Sequence, residues 1–444
     1  MKHVYIKTFG CQMNTYDSAR MRDALAVLGY TETDKPEDAD ILLLNTCHIR
    51  EKASEKLFSE VGRMKEVKQA RAARGLDTLL VVAGCVVQAG GAELLKRAHA
   101  VDIAIGPQNY HRLPELIAQY NRTHGRVVVA DFPAESKFDF LPRARAGGAS
   151  CFLAVQEGCD HFCSYCVVPY TRGCEYSRPA ADILAEAKQL VATGAREIML
   201  LGQNVNGWHG EGARDLGDVI RMLADIDGLD RIRYTTSYPS EMTENIITAH
   251  RDVAKLMPYI HLPIQSGSDT ILQAMNRQYT RDQYLHIIDR FRAVRPDIAI
   301  SSDFIVGFPG ETDTDFQDTL DLVRRVGYAS SFSFKFSARP GTPASLMKNQ
   351  IAEAVKTERL MQLQELLLAQ QKHFNEATVG KTLDILLIER GKEAGQLSGY
   401  TPYLQNTHIQ ADDSQLGQIV RVKITAASAT SLAGQPAGQN ADTD

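Results

Sequence analysis

Three cysteines crowd the segment VQEGCDHFCSYCVVPYTRGCEYSR: Cys159, Cys163 and Cys166, spaced Cys-x3-Cys-x2-Cys. Three thiolates on one short loop can bind three irons of a 4Fe-4S cube and leave the fourth iron without a protein ligand. A fully ligated electron-transfer cluster takes four Cys. An open iron suits a cofactor that is chelated and reductively cleaved there. Zinc, a disulfide pair and ordinary buried thiols are the alternatives, but zinc sites usually pair two Cys-x2-Cys units or add His, and no partner pair follows. Tyr165 falls between the second and third Cys. The apolar run CFLAVQ ahead of the loop reads as a buried strand that delivers the cysteines at its C-terminal end.

A second set is dispersed. Cys11, Cys47 and Cys85 each follow a strand-length apolar run, HVYIKTFG, ILLLNT and LLVVAG. Helix-like segments begin after them, near Thr15, Arg50 and Gln88, and VDIAIG precedes a further helix over Leu113 to Tyr120. This alternation implies an open parallel sheet covered on both faces. Ligand sites in such sheets form at the strands' C-terminal ends, where all three cysteines stand. On neighbouring strands their thiols would converge; the alternative is three small buried residues. Cys151, in a strand pattern, and Cys174 lack such spacing and are assigned as non-ligands.

These sites need several domains to position them, and 444 residues exceed one core. The segment PAESKFDFLPRARAGGAS, rich in Pro, Gly and charge, marks a linker. After it, CFLAVQE, EIMLLGQNV, IRYTTSY, YIHLPI, IAISSDFIVGF and SFSFKFS alternate with helical patterns near Ala181–Ala192, Leu216–Ala224, Glu244–His250, Arg281–Val294 and Asp315–Val326. Six such units suggest a partial (βα)6 barrel with its chemistry at the strands' C-terminal ends. Gln203, Asn204, Gln265 and Asp303 fall at those ends and could bind a nucleotide-like cofactor. Trp208 and His209 are expected in a surface loop. A long helix follows, then short strands with Gly-rich turns that suggest a small β-barrel. The fold class is therefore α/β with an open parallel amino-terminal sheet, a central partial barrel and a carboxy-terminal β-barrel. The expected boundaries are 1–132, a linker at 133–150, 151–350, a connecting helix at 351–378, 379–428 and a disordered tail at 429–444.

Charge points to no bulk attraction for nucleic acid: 49 basic against 54 acidic residues give −5. The stretch from Arg50 to Arg74 is locally basic, for which a solvated helix face is the default explanation and a phosphate contact the minority one. Residues 379–444 carry five basic and seven acidic side chains, so any RNA contact there rests on a few placed groups such as Arg421 and Lys423. No apolar run reaches 18 residues, and MKHVYIKTFGCQMN lacks the apolar core of a signal peptide. A cytoplasmic location without membrane contact is expected, where clustered Cys means metal or catalysis.

The Cys loop with its aromatic resembles the radical S-adenosylmethionine (radical SAM) enzymes. FGCQMN, NTCHIREKA and AGCVVQ resemble the amino-terminal domain of the methylthiotransferases, and residues 379–428 resemble the RNA-binding, OB-like TRAM module. CVVPYTRG, LLGQNVN, HLPIQSGS, MNRQYTR and SARPGTPA are most similar to the branch acting on isopentenylated adenosine in tRNA. The resemblance implies two 4Fe-4S clusters and SAM. One cluster, on Cys159, Cys163 and Cys166, would supply the electron that cleaves SAM, with Tyr165 near its adenine. The other, on Cys11, Cys47 and Cys85, would present the sulfur. No catalytic side chain is assigned. The implied partners are the tRNA anticodon stem-loop, an external electron donor such as a flavodoxin or ferredoxin, and a sulfur source, for a monomeric enzyme. The tail is expected to position RNA without chemistry and to be removable with both clusters intact. His48 and Tyr238 depart from the resembled pattern. Alternatives are a sister methylthiotransferase acting on threonylcarbamoyladenosine or a ribosomal protein, another radical SAM sulfur-insertion enzyme, and a non-enzymatic Zn/Cys RNA-binding protein.

Overall fold

The computed structural model describes residues 2–47 and 51–437, except the side chains of 51–55 and 92. His48 and Arg50 lie outside the described residues. The chain forms two compact units. The first comprises the chain through Arg145 with Glu157–Asp160 and Val167–Glu175; the second comprises Ala146–Gln156, His161–Cys166 and the chain from Tyr176 on.

In the first unit, β1 (Lys2–Phe9), β2 (Tyr30–Glu32), β3 (Ile41–Thr46), β4 (Leu79–Ala83), β5 (Ile103–Ile105) and β6 (Val127–Val129) form one parallel sheet in the order β2-β1-β3-β4-β5-β6. Helices α1 (Gln12–Val27), α2 (Glu51–Ala72), α3 (Cys85–Arg97) and α4 (Leu113–Thr123) cover it. The run ILLL explains how. Ile41 and Leu43 pack in the core that α1 and α4 supply with Met21, Leu25, Leu113 and Ile117. Leu42 and Leu44 pack with Leu57, Val61, Val87 and Leu94 of α2 and α3. Both faces are buried, so the strand is apolar throughout rather than alternating. The short strands β2 and β6 were too brief and polar-flanked for the sequence pattern to reveal. Within the basic stretch, Arg63 pairs with Glu60, Lys68 with Asp102 and Arg71 with Asp40, which commits those cations to the unit's own carboxylates. The expected linker at 133–150 is anchored at Lys137: a turn over Lys137–Phe140 buries that side chain, which reaches Pro107 O at 2.9 Å. An isolated buried cation needs partners, and finding them holds this segment in place.

Further along come β7 (Ser150–Ala154), the short β8 (Gln156–Glu157), α5 (Val168–Arg172) and the short β9 (Tyr176–Ser177). In the second unit follow α6 (Ala180–Ala192), β10 (Glu197–Leu201), α7 (Leu216–Ala224), β11 (Arg231–Tyr234), α8 (Glu244–Asp252), β12 (Tyr259–His261), α9 (Asp269–Ala274), α10 (Arg281–Val294), β13 (Ala299–Val306), α11 (Asp313–Val326) and β14 (Ser330–Lys335). The six longer strands pair in parallel as β7-β10-β11 and β12-β13-β14, and an isolated bridge from Ile232 to Leu256 joins the two sheets. This is the partial (βα)6 barrel. Capping boxes at Thr280 with Gln283 and Thr312 with Asp315 set where α10 and α11 begin.

Helix α12 (Glu353–Glu376) leads to a closed barrel of β15 (Thr382–Arg390), β16 (Gln396–Tyr400), β17 (Asn406–Gln410), β18 (Ile419–Ala427) and β19 (Leu432–Pro436). The expected disordered tail is corrected here. SLAGQP supplies the closing strand, pairing with both β17 and β18, because without it the sheet would keep two open edges. Residues 438–444 lie outside the described residues.

The closed barrel also seals the base of the partial barrel. Arg231 donates to Tyr400 O at 2.9 Å and Asp384 O at 2.6 Å, and Arg233 to Pro402 O and Thr401 O, each at 2.8 Å. Arg233 is paired with Glu197 at 2.8 Å, both side chains fully buried. Tyr259, Ala299 and Ala329 pack beneath Tyr403 and Leu404. These contacts sit at the strands' N-terminal ends, away from the ends that carry chemistry. The tail is therefore not a detachable module. Deleting 379–444 removes these carbonyl partners and exposes the apolar surface of Tyr259, Ala299 and Ala329 to water. The melting temperature of the second unit should fall by about 10 °C or more. Calorimetry of the truncated chain checks this, and an unchanged transition would contradict it.

Candidate metal and cofactor sites

Adjacent strands β1, β3 and β4 end side by side, and Cys11, Cys47 and Cys85 follow just past those ends. Two turns close there only through glycine. Gly10 and Gly84 hold left-handed backbone, φ 122° and 99°. A Cβ on Gly10 would overlap the Cys47 Cβ, and one on Gly84 would lie 2.5 Å from both Thr46 O and Asn45 Oδ1. A buried amide pair braces the turns: Asn14 Nδ2 donates to Asn45 Oδ1 at 3.1 Å, and Asn45 Nδ2 donates to Asn14 O at 2.8 Å. The Cys11 thiol donates to Asn14 Oδ1 at 3.2 Å. A hydrogen bond from Cys47, aided by the Arg172 charge, brings the Cys11 thiol down to about 6 against the effect of burial. Burial pushes the Cys85 thiol up, and Arg172 opposes it. Among the described residues no three His, Cys, Asp or Glu side chains gather at single-ion spacing. Two thiols beside a shared cation, with the third bonded to one of them, suit a larger anionic group, and an iron–sulfur cube fits this donor set.

The cation is itself held in a buried charge cluster. Arg172 pairs with Asp17 and with Glu157, each at 2.6 Å, and Lys137 pairs with Glu157 at 2.6 Å and Asp17 at 3.7 Å. All four side chains are at most 2% exposed. Two cations facing two carboxylates leave no net charge to desolvate alone. Sequence spacing could not reveal this cluster, whose members are spread over more than 150 positions.

In the Cys loop, Cys159 N–H donates to Gly173 O at 3.3 Å, within the first unit. Cys163 and Cys166 share one turn of the second unit, where Cys166 N–H donates to Cys163 O at 2.9 Å. The MNRQYTR motif braces that turn. Ser164 bonds Met275 O and Ala274 O, and Asn276 Nδ2 donates to the carbonyls of His161 and Phe162 at 3.0 and 3.1 Å. Arg277 donates to Cys163 Sγ at 3.6 Å. Tyr165 packs beside Ile271, Met275, Phe308 and Phe336.

The other expected contacts differ in accessibility. Gln156 Oε1 accepts from the N–H groups of Gln203 and Asn204, at 2.8 and 3.1 Å. The Gln203 side chain is half-buried, but Asn204 is buried, donating to Glu241 at 2.5 Å and lying 3.2 Å from His161 Nε2. Gln265 is buried with φ 77°, its main chain bonded to Asp303 O and Ile305 N. Asp303 is half-buried, 3.5 Å from His261 Nε2. Positive φ at Gln265 and at the β-branched Thr236, 66°, marks strand ends held in strained conformations.

Several residues here escaped sequence reasoning. The His161 ring stacks on Tyr238 at 3.7 Å and 6°, and Glu241 lies 3.0 Å from His161. Burial raises the Glu241 carboxyl, but hydrogen bonds from His161 and Asn204 win and hold it below its usual range. Tyr238, whose departure from pattern was visible, carries the Arg277 guanidinium 4.2 Å from its ring centre. Trp208, expected at the surface, is buried and donates to Arg178 O at 2.9 Å. Cys151 is buried as expected of a core residue, donating to Gly148 O at 3.3 Å, while Cys174 is exposed.

Comparison with known proteins decides the family. A tRNA-2-methylthio-N(6)-dimethylallyladenosine synthase of Maricaulis maris (strain MCS10) is 56% identical over 446 residues, covering 98% of each chain. This chain belongs to that synthase family. Family profiles agree along its length: "Uncharacterized protein family UPF0004" matches residues 3–106, "Radical SAM superfamily" 153–323 and "TRAM domain" 376–437. Among solved structures, the radical S-adenosylmethionine methyltransferase TsrM of Kitasatospora setae superposes with TM-score 0.59 at 15% identity, covering 78% of this chain and 75% of that one. The cobalamin-dependent S-adenosylmethionine radical enzyme OxsB gives TM-score 0.51 at 12% identity, covering 83% and 56%. At such identities these two establish shared fold alone.

In the synthase fold seen here, the glycine turns are the sharpest test of the first site. Gly10→Ala should displace the Cys47 turn and lower bound iron to about half of that in the wild type, taking each full site as 4Fe-4S. Cys151→Ser and Cys174→Ser should bind normal iron, the former losing about 1 kcal/mol of stability through a buried hydroxyl. Iron and sulfide analysis after anaerobic reconstitution reads all three; full iron in Gly10→Ala would contradict the assignment.

Proposed function

We infer that this chain is a radical SAM methylthiotransferase that adds a methylthio group to carbon 2 of N(6)-isopentenyladenosine next to the anticodon of tRNA. The observation that carries this reading is the 56% identity, over 98% of both chains, to a synthase named for that product. The radical SAM and TRAM profiles agree with it. Two 4Fe-4S clusters and SAM serve the reaction. When bound, they supply the electron and radical that remove hydrogen from a ring carbon lacking an acidic proton, and the sulfur and methyl that replace it.

The chain's own residues bind and orient. In this reading Cys159, Cys163 and Cys166 hold the SAM-cleaving cluster, and Cys11, Cys47 and Cys85 hold the sulfur-delivering one. Arg277 and Arg172 each keep a cation beside one set, which favours reduced, more negative states. Gln203 and Asp303 contact SAM directly, while Tyr165, Asn204 and Gln265 shape the wall around it. The functional regions follow 1–132, 151–350 and a barrel extended to 437. The tRNA presents its anticodon stem-loop, since loops offer unstacked bases to a pocket. Arg421 and Lys423, both exposed on β18, are the barrel's phosphate contacts. An external flavodoxin or ferredoxin supplies electrons, a sulfur source renews the donor, and the enzyme works as a monomer in the cytoplasm. Among the described residues no helix is long and apolar enough to cross a membrane.

Nucleoside analysis of tRNA from a strain lacking this chain should show isopentenyladenosine without its methylthio group. The wild-type chain should restore the group, and neither triple Cys→Ala variant should. The variant at Cys159, Cys163 and Cys166 should hold about half the iron and lose reductive SAM cleavage. The variant at Cys11, Cys47 and Cys85 should also hold about half and keep it. Loss of methylthio only from threonylcarbamoyladenosine would transfer the reading to the sister enzyme.

A further inference from the structure

Register assigns one face of β12, β13 and β14 to the lumen of the partial barrel. His261 pairs with Ser301, Ser301 with Ser330, Asp303 with Phe332 and Ile305 with Phe334. Residues paired in a parallel sheet share a face, and alternate residues along a strand share it too. Side-chain contacts agree. His261 Nδ1 lies 3.0 Å from Ser301 Oγ and its Nε2 3.5 Å from Asp303, and the Phe332 ring meets His261 edge-on at 6.4 Å. The opposite face turns toward the helices, where Phe304 is fully buried against Tyr328.

Two residues on the lumen face are anomalous. Phe332 is 55% exposed and Phe334 42%, among the most exposed aromatic rings of the described chain, although both stand on a barrel strand. Half-buried Ile305 adjoins them. An apolar surface left uncovered on the lumen face of a partial barrel, with a few polar groups beside it, is the form of a small-ligand seat. The polar neighbours are His261 and Asp303, and among the described lumen positions of these three strands there is no Lys or Arg. An anionic substituent would find no cationic side chain at these lumen positions to pair with it. A neutral branched hydrocarbon would meet two rings and an isoleucine.

We propose that Phe332 and Phe334, with Ile305, form the seat for the N(6)-isopentenyl group of the target adenosine. The proposal rests on the substrate inferred above and goes beyond it by naming the residues that recognise the prenyl chain. Phe332 and Phe334 are specificity-determining contacts, and the rest of the adenosine is read elsewhere.

The test is a pair of dissociation constants. The reconstituted full-length enzyme is titrated with anticodon stem-loop RNAs that carry, or lack, the isopentenyl group on the same adenosine. The wild type should bind the prenylated RNA at least about tenfold more tightly, the scale of discrimination one hydrocarbon pocket supplies. Phe332→Ala with Phe334→Ala should collapse that ratio to below about threefold and leave the constant for the unprenylated RNA unchanged. Phe332→Leu with Phe334→Leu, which keeps apolar bulk, should retain most of the ratio, and Phe334→Ser alone reads the same collapse if the double Ala chain does not fold. A ratio unchanged in the Ala and Ser variants, or no preference in the wild type, overturns the proposal. Failure of the wild type to form a methylthio product from the prenylated RNA overturns the functional reading instead, so the two failures are distinguishable.

Discussion

The buried charge cluster of Asp17, Lys137, Glu157 and Arg172 is the interaction on which the first unit depends. Each member comes from a different part of the chain: helix α1, the docked turn at 137, the end of β8 and helix α5. None can be removed alone without leaving a carboxylate or cation buried and uncompensated, which costs about 3–5 kcal/mol. The cluster thereby fixes segments 157–160 and 167–175 to the unit that holds Cys11, Cys47 and Cys85. It also orients Arg172, whose charge acts on both Cys11 and Cys85. One guanidinium thus has a structural partner set and a chemical one.

The second unit answers a different constraint. A partial barrel has two open ends, and only one can be given to chemistry. The carboxy-terminal barrel closes the other, with Arg231 and Arg233 donating to its carbonyls and Tyr403 and Leu404 covering the strand starts. What remains open is the end where the Cys turn, the strained Thr236 and Gln265, and the uncovered rings of β14 stand. Strain and exposed apolar surface both cost stability, and both occur at this end. That distribution is expected of a protein whose ligands supply the missing contacts.

Much of this was legible in the sequence. Apolar runs gave the four main strands of the first sheet, because strands buried on both faces are continuous in composition, and strand–helix alternation gave all six of the partial barrel. Three Cys at three strand ends implied convergence, and the order β1-β3-β4 supplies it. The failures have physical causes. SLAGQP is small and polar and carries no strand pattern of its own; only closure of the barrel makes it β19. The tail looked detachable because sequence shows a module's own pattern, not the carbonyls it lends to Arg231 and Arg233. His161, Glu241 and Arg172 were missed because their partners are distant in sequence. Tyr238 departs from the resembled pattern, but its stacking on His161 joins residues 77 positions apart that no local pattern links.

Methylthiolation by this chain itself, with both cysteine sets, is the proposal that product analysis tests most directly. Anaerobically reconstituted enzyme, incubated with SAM, a chemical reductant and prenylated tRNA lacking the methylthio group, should yield 2-methylthio-N(6)-isopentenyladenosine on digestion and mass spectrometry. 5′-Deoxyadenosine and S-adenosylhomocysteine should form alongside it. Release of 5′-deoxyadenosine with no methylthio nucleoside, from protein carrying both clusters in full, would contradict the account.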